Sequence, residues 1–220
     1  MRKSEMWFSR REVLGMAVGL GGWALSSSVF AQDTPRLFTP PLTLGPFYSQ
    51  VKPLDQDADL TLIKGRTTRA EGQVIHVAGR VLNLKGEPVK DARIEIWQAD
   101  SHGRYAHNSD KNPAQLDSGF QGYAVLQTDN EGRYRFKTIK PAPYPGLIAG
   151  KRTPHIHFEV LGKNDRLVTQ MFFPDEPLNA QDNILQNVRP SHREAAIAKP
   201  NKEIAADELM FGWDIVLISG

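Results

Sequence analysis

Two histidines, His155 and His157, stand two residues apart in a run that reads as a β-strand. Alternate strand positions share a face, and a rise of about 3.3 Å per residue sets the two Cα atoms about 6.6 Å apart, close enough for both rings to reach one metal ion. On its own the pair also reads as hydrogen-bonded histidines on the polar face of an edge strand. Glu159 continues that face and invites a two-histidine, one-carboxylate iron(II) site. Positions four apart on a strand lie about 13 Å from each other, however, too far for bonds near 2 Å to a single ion. Glu159 therefore reads as a surface group or as support for the histidines. Two tyrosines lie in irregular stretches: Tyr105 in Gly103-Arg104-Tyr105-Ala106-His107, and Tyr144 in Pro141-Ala142-Pro143-Tyr144-Pro145, which leads on to Arg152-Thr153-Pro154-His155. Proline restricts itself and the residue before it, so Tyr144 is sterically held. Taken singly, both tyrosines are ordinary packed aromatics and Arg152 a solvated loop charge. The chain has no cysteine, which removes disulfides, thiolate metal sites and a cysteine nucleophile and leaves any metal to N and O ligands.

The elements that position these residues are mostly strands. Period-two runs separated by turn residues predict strands over residues 73 to 82, 93 to 99, 122 to 128, 133 to 138, 155 to 161, 166 to 173 and 213 to 218. Within them Tyr134 and Phe136 alternate with Arg133, Arg135 and Lys137, the pattern of a half-buried strand. Asp129-Asn130-Glu131-Gly132 and Gly162-Lys163-Asn164-Asp165 tolerate positive φ and read as hairpin connections. One helix is expected from Ser191, with Ser191 and Glu194 as a capping box after Pro190. The fold class is all-β, an antiparallel β-sandwich with one or two short helices. Residues 100 to 121 and 139 to 154 interrupt the strand spacing as long loops of the kind that carry function, and prolines stiffen the second.

Of the 220 residues, 40% are hydrophobic and 24% charged, an ordinary globular composition. The net charge of +2 is matched by Arg2, Lys3, Arg10 and Arg11 less Glu5 and Glu12, so the remainder is near neutral and offers no nucleic-acid surface. Residues 13 to 30 carry no charge, follow a basic stretch and end in a small-residue cleavage pattern at Ala31, which reads as a signal peptide rather than a stable membrane anchor. Ser9-Arg10-Arg11-Glu12-Val13-Leu14 resembles the twin-arginine export signature, and the resemblance implies a periplasmic or otherwise exported protein. The expected organisation is a signal peptide over 1 to 31, an N-terminal extension bordering the active site over 32 to 72, and the sandwich over 73 to 220.

Ordered along this chain are Thr43-Leu44-Gly45-Pro46-Phe47-Tyr48, Gly79-Arg80-Val81, Gly86-Glu87-Pro88-Val89, Ile96-Trp97-Gln98-Ala99, Gly103-Arg104-Tyr105, Gly132-Arg133-Tyr134-Arg135-Phe136, Pro143-Tyr144-Pro145, Arg152 to Phe158 and Trp213-Asp214-Ile215-Val216-Leu217. In these blocks the sequence resembles the intradiol ring-cleaving catechol dioxygenases, more closely their protocatechuate 3,4-dioxygenase-like branch. The resemblance implies one non-haem Fe(III) per chain, held by Tyr105, Tyr144, His155 and His157. It implies O2-dependent cleavage of a catechol between its two hydroxylated carbons to a cis,cis-muconate-type diacid, with Tyr144 giving way to the substrate and taking a proton. Arg152 matches an arginine that stabilises developing negative charge, Gln170 a glutamine beside the site, and Tyr48 a substrate contact. Association with itself or with a homologous subunit is implied as well. Gly146 stands after Pro145 where relatives carry a bulky aromatic, so the pocket wall differs. His102 and His107 match no ligand position and read as loop residues, and His76 and His192 as structural or surface groups. A competing reading is a non-catalytic transthyretin-like or carboxypeptidase-regulatory-like binding module, suggested by the Gly79-Arg80-Val81 and Gly86-Glu87-Pro88-Val89 pattern. A zinc hydrolase is weaker, for want of a carboxylate partner to the histidines.

Overall fold

The computed structural model describes residues 36–146, 150–201 and 208–220. The expected signal peptide over residues 1 to 31 lies outside the described residues. Two sheets make the body. In the first, β1 (Val74–Leu82) pairs antiparallel with β4 (Arg133–Ile139); in the second, β2 (Arg93–Trp97) lies between β3 (Tyr123–Gln127) and β7 (His155–Leu161), and β7 pairs with β8 (Arg166–Phe172), all antiparallel. A short ribbon joins β5 (Tyr144–Pro145) to β6 (Lys151–Arg152). The six strands expected between residues 73 and 173 are thus present. Their inward side chains form one core between the sheets, including Ile75, Val77 and Phe136 from the first and Ile94, Ile96 and Phe158 from the second.

The end of the chain differs from expectation. Instead of one strand over 213 to 218 there are two, β10 (Leu209–Gly212) and β11 (Ile215–Val216), and both run parallel to β1. A third, β9 (Lys199–Asn201), pairs antiparallel with β10. The break between β10 and β11 falls where Trp213 crosses Gly79, so closely that a Cβ on Gly79 would stand 1.8 Å from the Trp213 carbonyl oxygen. Only glycine permits that approach. The side chain of Asp214 then accepts the Arg80 amide at 2.9 Å, and pairing resumes at Val81 and Ile215.

Helix α1 (Asn183–Gln186), which the pattern does not predict, is capped by Asp182, whose side chain accepts the amides of Ile184 and Leu185. Helix α2 (Pro190–Arg193) lies where the helix is expected, but the capping box does not form. Arg189 is its N-cap without a side-chain bond, Ser191 Oγ meets His192 Nδ1 instead, and Glu194 already belongs to the following 3-10 turn (Glu194–Ala196). Pro190 occupies the first turn, so Ser191 falls inside the helix, where its hydroxyl does not reach the amide three residues on. No helix among the described residues is long and apolar enough to cross a membrane.

The extension is woven into the body, and residues 33 to 220 form one compact unit. Thr39 exchanges hydrogen bonds with Val216, Leu42 donates to the Val168 carbonyl at 2.8 Å, and Leu60 is fully buried in the core. This cover lets β7 be buried on both faces, with Ile156, Phe158 and Val160 toward the core and His155, His157 and Glu159 beneath the extension and loops.

Candidate metal centre and active site

Strand β7 sets His155 and His157 on one face, and its neighbours supply the walls. Opposite His157 stand Trp97 on β2 and Gln170 on β8. The Trp97 ring stacks on the His157 imidazole with centroids 4.9 Å apart and planes 13° apart. The β5–β6 ribbon explains the proline-boxed tyrosine, because its register puts Tyr144 directly across from Arg152. Tyr105 comes from the 98-to-122 loop, which is laced by carboxylates: buried Asp100 accepts the amides of His102, Arg104 and Asp117, and half-buried Asp110 accepts that of Tyr105. Phe47 from the extension stacks on Tyr105, with centroids 4.5 Å apart, and meets Tyr144 edge-on.

Four donor side chains converge inside these walls. The Nε2 atoms of His155 and His157 are 3.2 Å apart, and the Tyr144 hydroxyl is 3.2 Å from His155 Nε2. The Tyr105 ring lies perpendicular to that of Tyr144, centroids 5.4 Å apart, and its buried hydroxyl has no hydrogen-bond partner among the described residues. His155 Nδ1 lies 2.6 Å from the Thr153 carbonyl, which can only accept, so Nδ1 carries the hydrogen and Nε2 is left as a free lone pair. Burial, joined at His155 by nearby Arg152 and at His157 by His155 and Arg152, holds both imidazoles well below the usual histidine pKa. They are therefore neutral and ready to ligate. Among the described residues no group of three or more His, Cys, Asp or Glu side chains is arranged to hold a metal, so oxygen donors at this point come from tyrosine.

The tyrosines are shifted the other way. Burial and the adjacent Tyr144 raise Tyr105 well above the usual phenol pKa, and burial raises Tyr144 despite the opposing pull of Arg152. Buried phenols ionise only where a cation offsets the lost hydration, and a multivalent ion inverts that local preference. Two neutral imidazoles and two phenols, the Tyr105 hydroxyl being buried and orphaned, fit a hard trivalent cation such as ferric iron. The fit therefore rests on this donor set.

Arg152 and Gln170 stand at the same place. Arg152 donates from NH1 to the Tyr144 hydroxyl at 3.4 Å and from NH2 to Gln170 Oε1 at 2.6 Å, while Gln170 donates to the Thr43 carbonyl at 3.0 Å. The third guanidinium contact, Nε to Asp182 at 2.8 Å, comes from a residue the motif reading misses. Its only sequence sign is a helix-capping aspartate before Asn183-Ile184-Leu185. Phe47 and Trp97 sit in recognised blocks, but Phe47 has no polar side-chain atom and the Trp97 indole N–H points to no chemistry in the sequence, so neither is singled out as a wall of the site.

Tyr48 packs against the aromatic cluster that includes Phe47, Trp97 and Tyr105. Its hydroxyl bonds Glu95 and Glu159, each at 3.0 Å, and its ring meets that of Trp97 edge-on, with centroids 4.9 Å apart. Glu159 is not a surface group: it is buried, stands across from Glu95, and also accepts from Arg166 at 2.6 Å. Two carboxylates facing each other on neighbouring strands are destabilising unless compensated, and here Lys52, Arg93, Arg166, Tyr48 and Tyr123 compensate them. Burial works to raise the Glu95 pKa, but the hydrogen bonds from Lys52, Tyr123, Arg93 and Tyr48 prevail and hold it at about 2. Of the remaining histidines, His107 lies against the Phe47 ring at the edge of the centre, with centroids 5.9 Å apart, and the others bond elsewhere. His102 lies 3.3 Å from Glu71, His76 pairs with Glu208, and His192 packs on Phe38.

Comparison with known proteins gives the family of the chain. The dioxygenase family profile matches residues 43–219. The protocatechuate 3,4-dioxygenase beta chain of Burkholderia cepacia is 41% identical over 171 residues, 75% of this chain and 72% of the relative. The alpha chain from the same organism is 32% identical over 186 residues, 80% of this chain and 90% of the relative. Among solved structures, the dioxygenase domain of a dioxygenase and carbohydrate-binding protein fusion from Streptomyces sp. SirexAA-E superposes with a TM-score of 0.63 at 26% identity, covering 83% of this chain and 99% of that one. On the strength of a match that spans nearly all of the folded body, the chain belongs to the dioxygenase family and is an intradiol ring-cleaving enzyme acting on catechol-type rings.

Proposed function

We propose that the protein is a non-haem ferric dioxygenase, with one iron per chain held by Tyr105, Tyr144, His155 and His157, that opens a protocatechuate-like catechol with O2 between its hydroxylated carbons. The observation that carries this reading is the convergence of two imidazole nitrogens and the Tyr144 hydroxyl within 3.2 Å contacts, beside the buried, partnerless Tyr105 hydroxyl. When bound, ferric iron supplies a Lewis acid that favours the catechol dianion and makes its ring carbons reactive toward O2.

The protein's own groups do the rest. The Thr153 carbonyl fixes the tautomer of His155. The Tyr144 oxygen is the acceptor for a substrate hydroxyl proton, and Arg152, already turned toward it, steadies the charge on both partners of that exchange. Gln170 keeps the guanidinium from rotating. Phe47 and Trp97 exclude water, so the fixed positive charge of Arg152 acts at low dielectric on negative charge developing in the ring. The two Burkholderia relatives are named as alpha and beta chains, which supports association with a homologous subunit or a second copy. A non-catalytic binding module has no reason to converge these four donors in a dry pocket.

The test is the visible spectrum of the iron-loaded protein before and after anaerobic addition of 3,4-dihydroxybenzoate. The expected result is a broad tyrosinate-to-iron charge-transfer band that shifts on addition, followed by oxygen uptake when air is admitted. A protein that stays colourless after iron reconstitution would overturn the reading.

A further inference from the structure

Asp182 takes no part in the reading above, yet no carboxylate at the site is more fully used. It is completely buried. Its Oδ2 accepts from Arg152 Nε at 2.8 Å and from the Thr153 amide at 3.0 Å, and its Oδ1 accepts the amides of Ile184 and Leu185, each at 3.0 Å. One guanidinium and three backbone amides thus share two oxygens. Holding Arg152 at Nε leaves its terminal nitrogens to face the site, one toward the Tyr144 hydroxyl and one toward Gln170. Holding the amide of Thr153 steadies the residue whose carbonyl receives His155 Nδ1. The Thr153 hydroxyl meets Asn179, so the segment before α1 grips the residues that lead into the histidine strand, Arg152 and Thr153, at several points.

We infer that Asp182 is the positioning residue of this site, a clamp that aims the Arg152 guanidinium at the Tyr144 oxygen and holds the carbonyl that orients His155, while closing the first turn of α1. The inference rests on the dioxygenase reading proposed above. The physical reason is preorganisation. A donor already aimed at the atom that gains charge needs no reorganisation as the charge develops, and a partly buried arginine lacking its counter-charge would turn to whatever anion was nearest. A side chain that also caps a helix cannot follow Arg152 if it drifts, so the aim is set by the backbone.

Two substitutions test the clamp. Asp182→Asn has a single carbonyl oxygen, which serves either the helix amides or Arg152 and Thr153, but not both. Asp182→Ser keeps a capping hydroxyl and removes the clamp altogether. In iron-loaded protein both are expected to lower kcat for 3,4-dihydroxybenzoate by about tenfold or more, with KM little changed and the charge-transfer band in place. Combined with Arg152→Ala, Asp182→Asn should add no further loss. In metal-free protein the Tm shifts of Asp182→Asn and Arg152→Ala should likewise be non-additive. Leu185→Ala, which removes the packing of α1 on Phe172 but keeps the backbone amide that Asp182 accepts, should lower Tm and leave kcat alone. Wild-type kcat in both Asp182 variants, additive Tm shifts, or an equal kcat loss in Leu185→Ala would overturn the clamp. A wild-type protein without a ferric band would instead defeat the dioxygenase reading, and the clamp's catalytic role with it.

Discussion

Replacing Tyr105 by phenylalanine should stabilise the metal-free protein and cripple the metal-loaded one. The ring is packed between Phe47 and Tyr144 and stays in place when the oxygen is removed. That oxygen is buried and unpartnered, and leaving a hydroxyl in this condition costs about 1–3 kcal/mol. Taking about 1–2 kcal/mol as recoverable, and about 2–4 °C per kcal/mol for a domain of this size, the metal-free Tm should rise by about 2–8 °C. Tyr144→Phe provides the contrast, because its hydroxyl has His155 at 3.2 Å and Arg152 at 3.4 Å. Its loss should lower the metal-free Tm, since a net hydrogen bond contributes about 0.5–1.5 kcal/mol. Scanning calorimetry of each variant with and without ferric iron measures all four states. Ferric iron should raise the Tm of the wild type far more than that of either variant. The reasoning fails if metal-free Tyr105→Phe melts at or below the wild-type temperature, or if iron stabilises it as strongly as the wild type.

Acid should destabilise the metal-free protein from the histidines inward. Burial lowers the folded pKa of His155 and His157, so the unfolded chain takes up their protons first as pH falls through about 6.5. Stability is then full above that pH and declines below it, by up to about 2.7 kcal/mol per pH unit for the two groups together; equal urea midpoints at pH 7.5 and 5.5 would contradict this. Tyr48→Phe takes away the hydroxyl shared by Glu95 and Glu159 and should cost about 1–3 kcal/mol in denaturant unfolding, whereas a neutral result would mean that Lys52 and the arginines suffice. Gly79→Ala drives a methyl into the Trp213 carbonyl, and loss of amide-exchange protection across Phe211 to Val216 is the expected signature. Protection equal to wild type would show that the crossing can shift.

The sandwich was legible because alternation is a local property. Tyr134 and Phe136 alternating with charged residues predict β4, and the His155–Leu161 run predicts β7 with its residues in register. What escaped was structure whose partner lies far away or whose pairing is very short. The two-residue ribbon at Tyr144 and Arg152 has no periodicity to detect. The C-terminal run Trp213-Asp214-Ile215-Val216-Leu217 looks continuous, and only the contact with Gly79 splits it. The four donor residues were legible as ordered motifs, since their spacing survives in one dimension. Asp182 was not, because its meaning depends on Arg152, thirty residues earlier. The hydrogen bonds of Tyr48 were hidden for a related reason: its hydroxyl meets two carboxylates whose proximity only the β2–β7 pairing creates.

The bonds between Thr39 and Val216 span 177 residues of chain, and this has a meaning in time as well as in space. Contacts so distant in sequence close late, because loop closure precedes any gain from them. Thr39 leaves the ribosome long before Val216, so their clasp closes after the bonds of Leu42 to Val168 and of Thr43 to Gln170 can already hold the segment that carries Phe47. Until residues 168 to 170 have been made, the histidine face of β7 lacks this cover. The fold thus has an interval in which His155 and His157 exist but are not yet covered, and the docking of the extension on β8 ends it.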